Sequence, residues 1–220
     1  MDRLYRRFVQ PGDLVFDVGA HVGDRIASFR RLGARVVAIE PQRAMAGVLR
    51  LLYGLSRSVT IEEMAVGREQ GRARLMINVD NPTVSSFSSA FVEAARGAPG
   101  WETQRWTKSA EIAVTTLDAL IERHGRPSFI KLDVEGFEAE ALRGLSRAVP
   151  ALSFEFTTIQ RDVALACIER CSALGYTSFN AVLGESQVLL DDWLDAGEIA
   201  DWLKALPQAA NSGDVYARTA

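Results

Sequence analysis

Residues 128–138 read SFIKLDVEGFE, an apolar run that stops in three acids, Asp133, Glu135 and Glu138. Gly136 lies between the last two, and an apolar run with helical spacing follows through Phe137, Ala141, Leu142 and Leu145. This pattern predicts a buried strand, a tight turn and a helix. Acids at such a strand tip are costly in a core and useful in a site, because ligands of open α/β sheets sit just beyond the carboxyl ends of the strands. Asp133 at the tip, Glu135 two residues on, and Glu155 at the tip of the next strand form a candidate catalytic group. Crowded carboxylates raise one another's pKa toward that of a usable base. They also suit a hard divalent cation such as Mg²⁺ or Ca²⁺; no aspartate-rich spacing compels one, so no metal ligands are assigned. Glu138, in the first turn of the helix, offsets the positive helix end. Lys131 shares a strand face with Asp133 and can pair with a carboxylate there. Two histidines are present. His124 ends a helix, where a cation is favoured, and His21 sits in a glycine loop, so a carboxylate is the better candidate base.

That loop, DVGAHVGD at residues 17–24, joins a strand to a helix. It differs from the dinucleotide fingerprint G-x-G-x-x-G in carrying His21 where a middle glycine would let a pyrophosphate approach. Asp17, two residues before Gly19, repels phosphate and suits a cationic group. S-adenosylmethionine, with an amino-acid moiety and no phosphate, fits better. Glu40, after the second strand and before Pro41, can accept both hydroxyls of a ribose. The third strand runs into Glu63, Met64 and Ala65, where Met64 can pack on a base or simply fill the core.

The positioning elements follow from periodicity and punctuation. A helix is predicted over 2–9, strands at 14–16, 35–39 and 59–62, and helices over 24–32 (closed by Gly33) and 43–53, the latter with Met45, Val48, Leu49 and Leu52 inward. Residues 65–79 read as a strand pair turned at Gln70-Gly71. Residues 80–109 break the rhythm with Asn81-Pro82, four serines and Trp101 and Trp106. This irregular insertion is either a lid or substrate loop or a packed excursion. Its Ser85 and Ser86 either line the site or form a polar loop, and its tryptophans either stack on a substrate or close the loop. Beyond it, strands are expected at 110–116, 128–133, 151–156, 176–180, 186–190 and 214–218, and helices at 117–124, 137–147, 160–174 and 195–205. Such alternation implies a mostly parallel sheet covered on both faces. The 220 residues read as one domain.

Net charge is −3 with scattered Lys and Arg, which disfavours nucleic acid as a partner. No apolar run reaches the roughly 18 residues of a membrane span, and no signal peptide is evident. A cytoplasmic protein without a membrane partner is expected. Cys167 and Cys171 fall on one face of a helix and read as buried structural thiols.

The ordered set VFDVGAHVGD (15–24), VVAIEP (36–41), EEMAVG (62–67), VTTLDAL (114–120) and FIKLDVEGFEAEALRG (129–144) resembles the FkbM-type S-adenosylmethionine-dependent methyltransferases, a class I Rossmann-like branch. SFEF at 153–156 extends the likeness, which thins beyond about residue 160. The resemblance implies a doubly wound, mostly parallel seven-stranded α/β sheet with helices on both faces and a terminal antiparallel hairpin. It also implies S-adenosylmethionine as cofactor. Asp17 and the loop from Gly19 through Ala20 and His21 to Gly23 would hold the methionine part. Glu40 and Pro41 would hold the ribose, and Glu63, Met64 and Ala65 the adenine, with Asp133 at the reacting end. A small hydroxylated acceptor, a metabolite or sugar, is implied by kinship. A nicotinamide-dependent oxidoreductase and a non-catalytic module retaining the fold are the competing readings. The first lacks the middle glycine and a Tyr-x-x-x-Lys pair, and the second stands because a fold does not fix function.

Overall fold

The chain winds strand and helix alternately for its first sixty residues. In the computed structural model, which describes residues 1–219, a one-turn helix α1 (Asp2–Tyr5) precedes β1 (Leu14–Val18), α2 (Asp24–Arg31), β2 (Arg35–Ile39), α3 (Arg43–Tyr53) and β3 (Val59–Glu62). A small excursion follows, made of β4 (Ala65–Val66), β5 (Gly71–Asn78), α4 (Ser89–Ala95) and β6 (Trp106–Thr115). Winding resumes with α5 (Leu117–His124), β7 (Phe129–Leu132), α6 (Glu138–Arg143), β8 (Ala151–Thr157), α7 (Arg161–Leu174), β9 (Ser178–Leu183), α8 (Ala196–Ala205) and β10 (Ser212–Arg218).

Seven strands form one sheet in the order β3-β2-β1-β7-β8-β10-β9. The first five run parallel, and β10 inserts antiparallel between β8 and β9. The chain moves outward from β1 to β3 and then returns to place β7 against the other side of β1. That reversal opens a crevice at the carboxyl ends of β1 and β7, the usual ligand position in such sheets. The central strands are buried on both faces. Phe16, Val18, Ile130, Leu132, Leu152 and Phe154 pack under α5 to α8. Val15, Phe129 and Tyr216 pack with Tyr5, Ile26 and Phe29 under α1 and α2. Alternation puts Asp17 on the second face with Val15, and Lys131 there with Phe129, directly opposite Asp17 across the β1–β7 pairing.

Four expectations are corrected. The N-terminal helix is one turn long, and the chain then loops so that Phe8 stacks on Phe129 and Tyr216. Residues 65–79 do not make a hairpin: β4 and β5 both pair with β6, which lies between them in a three-stranded sheet. Residues 186–190 form no strand and belong to the connection from β9 to α8. On α3 Leu49 is buried as expected, but Ala46 is the other buried residue, Met45 and Val48 are half-buried and Leu52 is 57% exposed; the buried stripe is narrower than the one that the larger side chains suggest. Cys167 and Cys171 are free and buried. Among the described residues no helix is long and apolar enough to cross a membrane.

Candidate active site

A cavity of about 370 Å³ lies at the crevice, lined by the ends of β1, β2 and β7 and by the loops that follow them. Its floor is the glycine loop. Gly19 has φ +85°, and a Cβ there would fall 1.8 Å from the backbone oxygen of Asp133. Only glycine allows the ends of β1 and β7 to close to this distance. Gly19 and Ala20 donate their N–H groups to the Ile39 carbonyl at 2.9 and 3.1 Å, tying the loop to β2. His21 takes a left-handed conformation, φ 46°, which turns its N–H onto Glu40 Oε2 at 2.8 Å. Gln42 donates its N–H to Glu40 Oε1, also at 2.8 Å. Each oxygen of Glu40 is thus held by one backbone donor and keeps further acceptor capacity. Burial pushes the Glu40 carboxyl up to about 7 against those two hydrogen bonds. Asp17 is buried, and among the described residues its Oδ2 has no hydrogen-bond partner. Burial raises it to about 7, against the pull of Lys131 and Arg25.

The carboxylates of Asp133, Glu135 and Glu155 meet in the same cavity, with one oxygen from each lying within 4.8 Å of the others. Lys131, 1% exposed, donates to Asp133 Oδ2 and to Asp214 Oδ1, both at 3.0 Å. Burial raises Asp133, but the Lys131 ammonium outweighs it and holds the carboxyl below its usual range. The Asp133 side chain still keeps 27% of its surface open. Glu135 and Glu155 go the other way: burial, and then the charge of Asp133, push both well above the usual carboxylate range. One site therefore holds an ionised acid beside two that retain protons more readily, an arrangement suited to proton transfer.

The turn that carries Glu135 is built for it. Glu135 and Gly136 are both left-handed, at φ 53° and 84°, and a Cβ on Gly136 would meet Gln160 Oε1 at 2.6 Å and Phe91 Cβ at 2.8 Å. Glu138 Oε1 accepts the N–H groups of Val134 and Gly136 at 2.9 and 3.3 Å. Ser86 Oγ donates to the Glu135 carbonyl at 2.5 Å. Glu138 is therefore more than a charge at a helix start: it closes the turn that precedes its own helix.

The remaining expected residues divide between the cavity and its surroundings. Pro41, Met64 and Ala65 line it; Gly23 and Glu63 do not. Gly23 faces α3, where a Cβ would meet Tyr53 at 2.7 Å, and Glu63 pairs with Arg50 at 2.7 Å. His124, at the end of α5, sits 2.8 Å from Glu62. Within residues 80–109, Thr83, Ser85 and Phe87 reach the cavity, whereas Trp101 and Trp106 pack edge-on to Phe91 and close the loop. Arg25 and Glu185 also line the cavity and were not singled out in the sequence. Glu185 follows a strand end 160 residues away, so spacing gives no hint of it; Arg25 directly follows the glycine loop and was legible as a helix-start residue.

The fold and cavity define a class I Rossmann-like methyltransferase. The methyltransferase FkbM domain matches residues 17–206, and the chain belongs to that family. The structure is similar to a TehB-like SAM-dependent methyltransferase from Corynebacterium glutamicum, with TM-score 0.50 and 12% identity over 100% of this chain and 86% of that one. A precorrin-6y C5,15-methyltransferase from Geobacter metallireducens aligns with TM-score 0.48 and 12% identity over 99% and 86%. A precorrin 8w decarboxylase from Methanobacterium thermoautotrophicum gives 0.49 and 11% over 98% and 88%. No curated protein matches. The family implies S-adenosylmethionine, and the donor set suits that molecule. Asp17 offers a buried, unpartnered oxygen to an ammonium, and Glu40 has acceptor capacity on both oxygens for a diol.

Proposed function

We propose that the protein transfers a methyl group from S-adenosylmethionine to a hydroxyl of a small, hydroxylated metabolite or sugar. The observation that carries this reading is the convergence of Asp133, Glu135 and Glu155 in the same cavity as Asp17 and Glu40. When bound, the cofactor supplies a methyl group on a sulfonium, which an acceptor oxygen takes in line with the leaving sulfur. Asp17 would hold the ammonium and Glu40 the ribose hydroxyls, while Met64 and Ala65 would pack on the adenine. Asp133, kept ionised by Lys131, accepts a hydrogen bond from the acceptor and orients it. The acceptor proton passes to whichever carboxylate of the Glu135–Glu155 pair is ionised while its neighbour keeps a proton, and the raised basicity of that pair suits a general base. Phe87 and Phe137, tilted against one another with ring centroids 5.6 Å apart, offer an apolar wall to a sugar ring or similar body.

Lys131 already places a cation on Asp133, which favours the proton-transfer role of the carboxylates over a metal role. Calorimetry with S-adenosylhomocysteine on the purified protein tests the cofactor reading, with binding expected; a folded protein that does not bind it overturns the reading. Mass spectrometry after incubation with S-adenosylmethionine and a panel of hydroxylated acceptors tests the acceptor class. A product gaining one methyl is expected on oxygen, unchanged in yield by a chelator. Methylation confined to amines or carbon centres rejects O-methylation.

A further inference from the structure

Arg25 is the second residue of α2, immediately past the glycine loop, and it lines the cavity. Its side chain is 22% exposed. The other buried cation of the cavity, Lys131, is held between Asp133 and Asp214. Among the described residues the hydrogen-bond partner of Arg25 is Glu185, at 2.9 Å from Nη2. Glu185 is 72% exposed and lies on the connection from β9 to α8. This pair therefore joins a half-enclosed cation of the cavity to a solvent-facing acid on a connecting loop. Ion pairs with one exposed partner contribute little, so the guanidinium can be released from Glu185 at small cost. The charge of Arg25 is felt at both Asp17 and Asp133, which line the same cavity.

S-adenosylmethionine presents two opposite charges at its amino-acid end. Asp17 suits the ammonium, which leaves a carboxylate to be neutralised. A guanidinium at a helix N-terminus is well matched to it: the fork makes two parallel hydrogen bonds to a carboxylate, and the helix end adds positive potential. Asp24, beside it, is exposed to solvent and leaves that fork free. We infer that Arg25 seats the carboxylate of the cofactor's amino-acid moiety, and that Glu185 occupies the guanidinium until the cofactor replaces it. This rests on the methyltransferase reading and goes beyond it, since it names a cofactor contact outside the glycine loop and a loop contact that cofactor entry breaks.

The test compares two ligands that differ by that one group. S-adenosylhomocysteine carries the carboxylate; its decarboxylated analogue, S-adenosyl-3-thiopropylamine, keeps the adenosine, sulfur and ammonium. Calorimetry is run with both on the native protein, Arg25→Met and Glu185→Gln. On the native protein, loss of the carboxylate is expected to weaken binding about tenfold or more, the effect of a charge-assisted hydrogen-bonded pair. In Arg25→Met that difference should collapse to within about twofold, with the propylamine bound as well as by the native protein. Glu185→Gln, which removes the competing acid, should bind S-adenosylhomocysteine at least as tightly as the native protein. If Arg25→Met fails to fold, Arg25→Lys replaces it and should shrink the difference, since it keeps the charge and loses the fork. A carboxylate effect of equal size in native protein and variant overturns the inference, as does an equal weakening of both ligands. A native protein that binds neither ligand instead overturns the methyltransferase reading beneath it.

Discussion

Asp17 carries an unpartnered oxygen into the cavity, and Glu40 stands near it; burial sets both near 7. Their folded values lie above those of unfolded carboxylates. The unliganded protein therefore binds more protons than the unfolded chain between about pH 4 and about pH 7, and these two groups make it less stable as pH rises through that window. Ligand binding runs the opposite way. An ammonium and a diol favour the ionised acids, so affinity for S-adenosylhomocysteine should rise severalfold between about pH 6 and about pH 8, with proton release on binding. Calorimetry in buffers of different ionisation enthalpy measures both; a pH-independent affinity with no proton release contradicts the roles of Asp17 and Glu40. Asp17→Asn should weaken binding and remove part of the pH dependence. Glu155→Gln removes a proton acceptor without touching the glycine loop. Methyl transfer should fall by about 10²-fold or more while S-adenosylhomocysteine still binds within about threefold. Equal loss of binding and transfer would make Glu155 a binding residue instead.

At the scale of elements, the decisive piece is the turn between β7 and α6. Its two consecutive left-handed residues aim Glu135 at the cavity, and the Glu138 carboxylate satisfies the N–H groups of Val134 and Gly136. Glu138→Ala leaves those donors unpaired in a buried turn and should cost about 1–3 kcal/mol in urea unfolding. Transfer should fall further than cofactor binding does, because Asp133 and Glu135 lose their aim. A stability loss below about 0.5 kcal/mol would show that the turn holds its shape unaided. The sequence made this strand–turn–helix legible through local signals: an apolar run, an acid at its tip and Gly136. The same holds for β2, α3, β3 and α5, whose predicted spans match, and for the glycine loop. What it hid was non-local. Pairing of β4 and β5 with β6 depends on a partner that is distant in sequence, with Asn78 set against Trp106 and Ala65 against Val114, so adjacency suggested a hairpin instead. The roles of Ser86, Arg25 and Glu185 come from chain segments brought together only by folding. Acidic type alone could not separate Glu138, which closes a turn, from Glu135, which faces the cavity.

Across the whole molecule, Lys131 joins the parallel part of the sheet to its antiparallel edge. It reaches from β7 over β8 to Asp214 on β10, and the β8 residue opposite it is Ser153, small enough to let the side chain pass. The same ammonium holds Asp133. Burial works against its charge, but Asp133 and Asp214 outweigh burial and keep Lys131 protonated well beyond the usual lysine range. Fold and chemistry are thus coupled through one buried cation. Lys131→Met keeps the length of the side chain and removes the charge, leaving two carboxylates without it. Breaking a buried pair in this way should cost about 3–5 kcal/mol at neutral pH. The cost should shrink as pH falls, because Asp133 then protonates and no longer needs a counter-charge. Adding Asp214→Asn to Lys131→Met should recover part of the stability, since one of the two stranded charges is gone, but it should not recover methyl transfer, since Asp133 still lacks the cation that keeps it ionised. Urea unfolding across pH, set beside transfer rates for both variants, separates the two roles of the lysine. Recovery of transfer together with stability would mean that Lys131 serves the sheet alone and that Asp133 orients the acceptor without it.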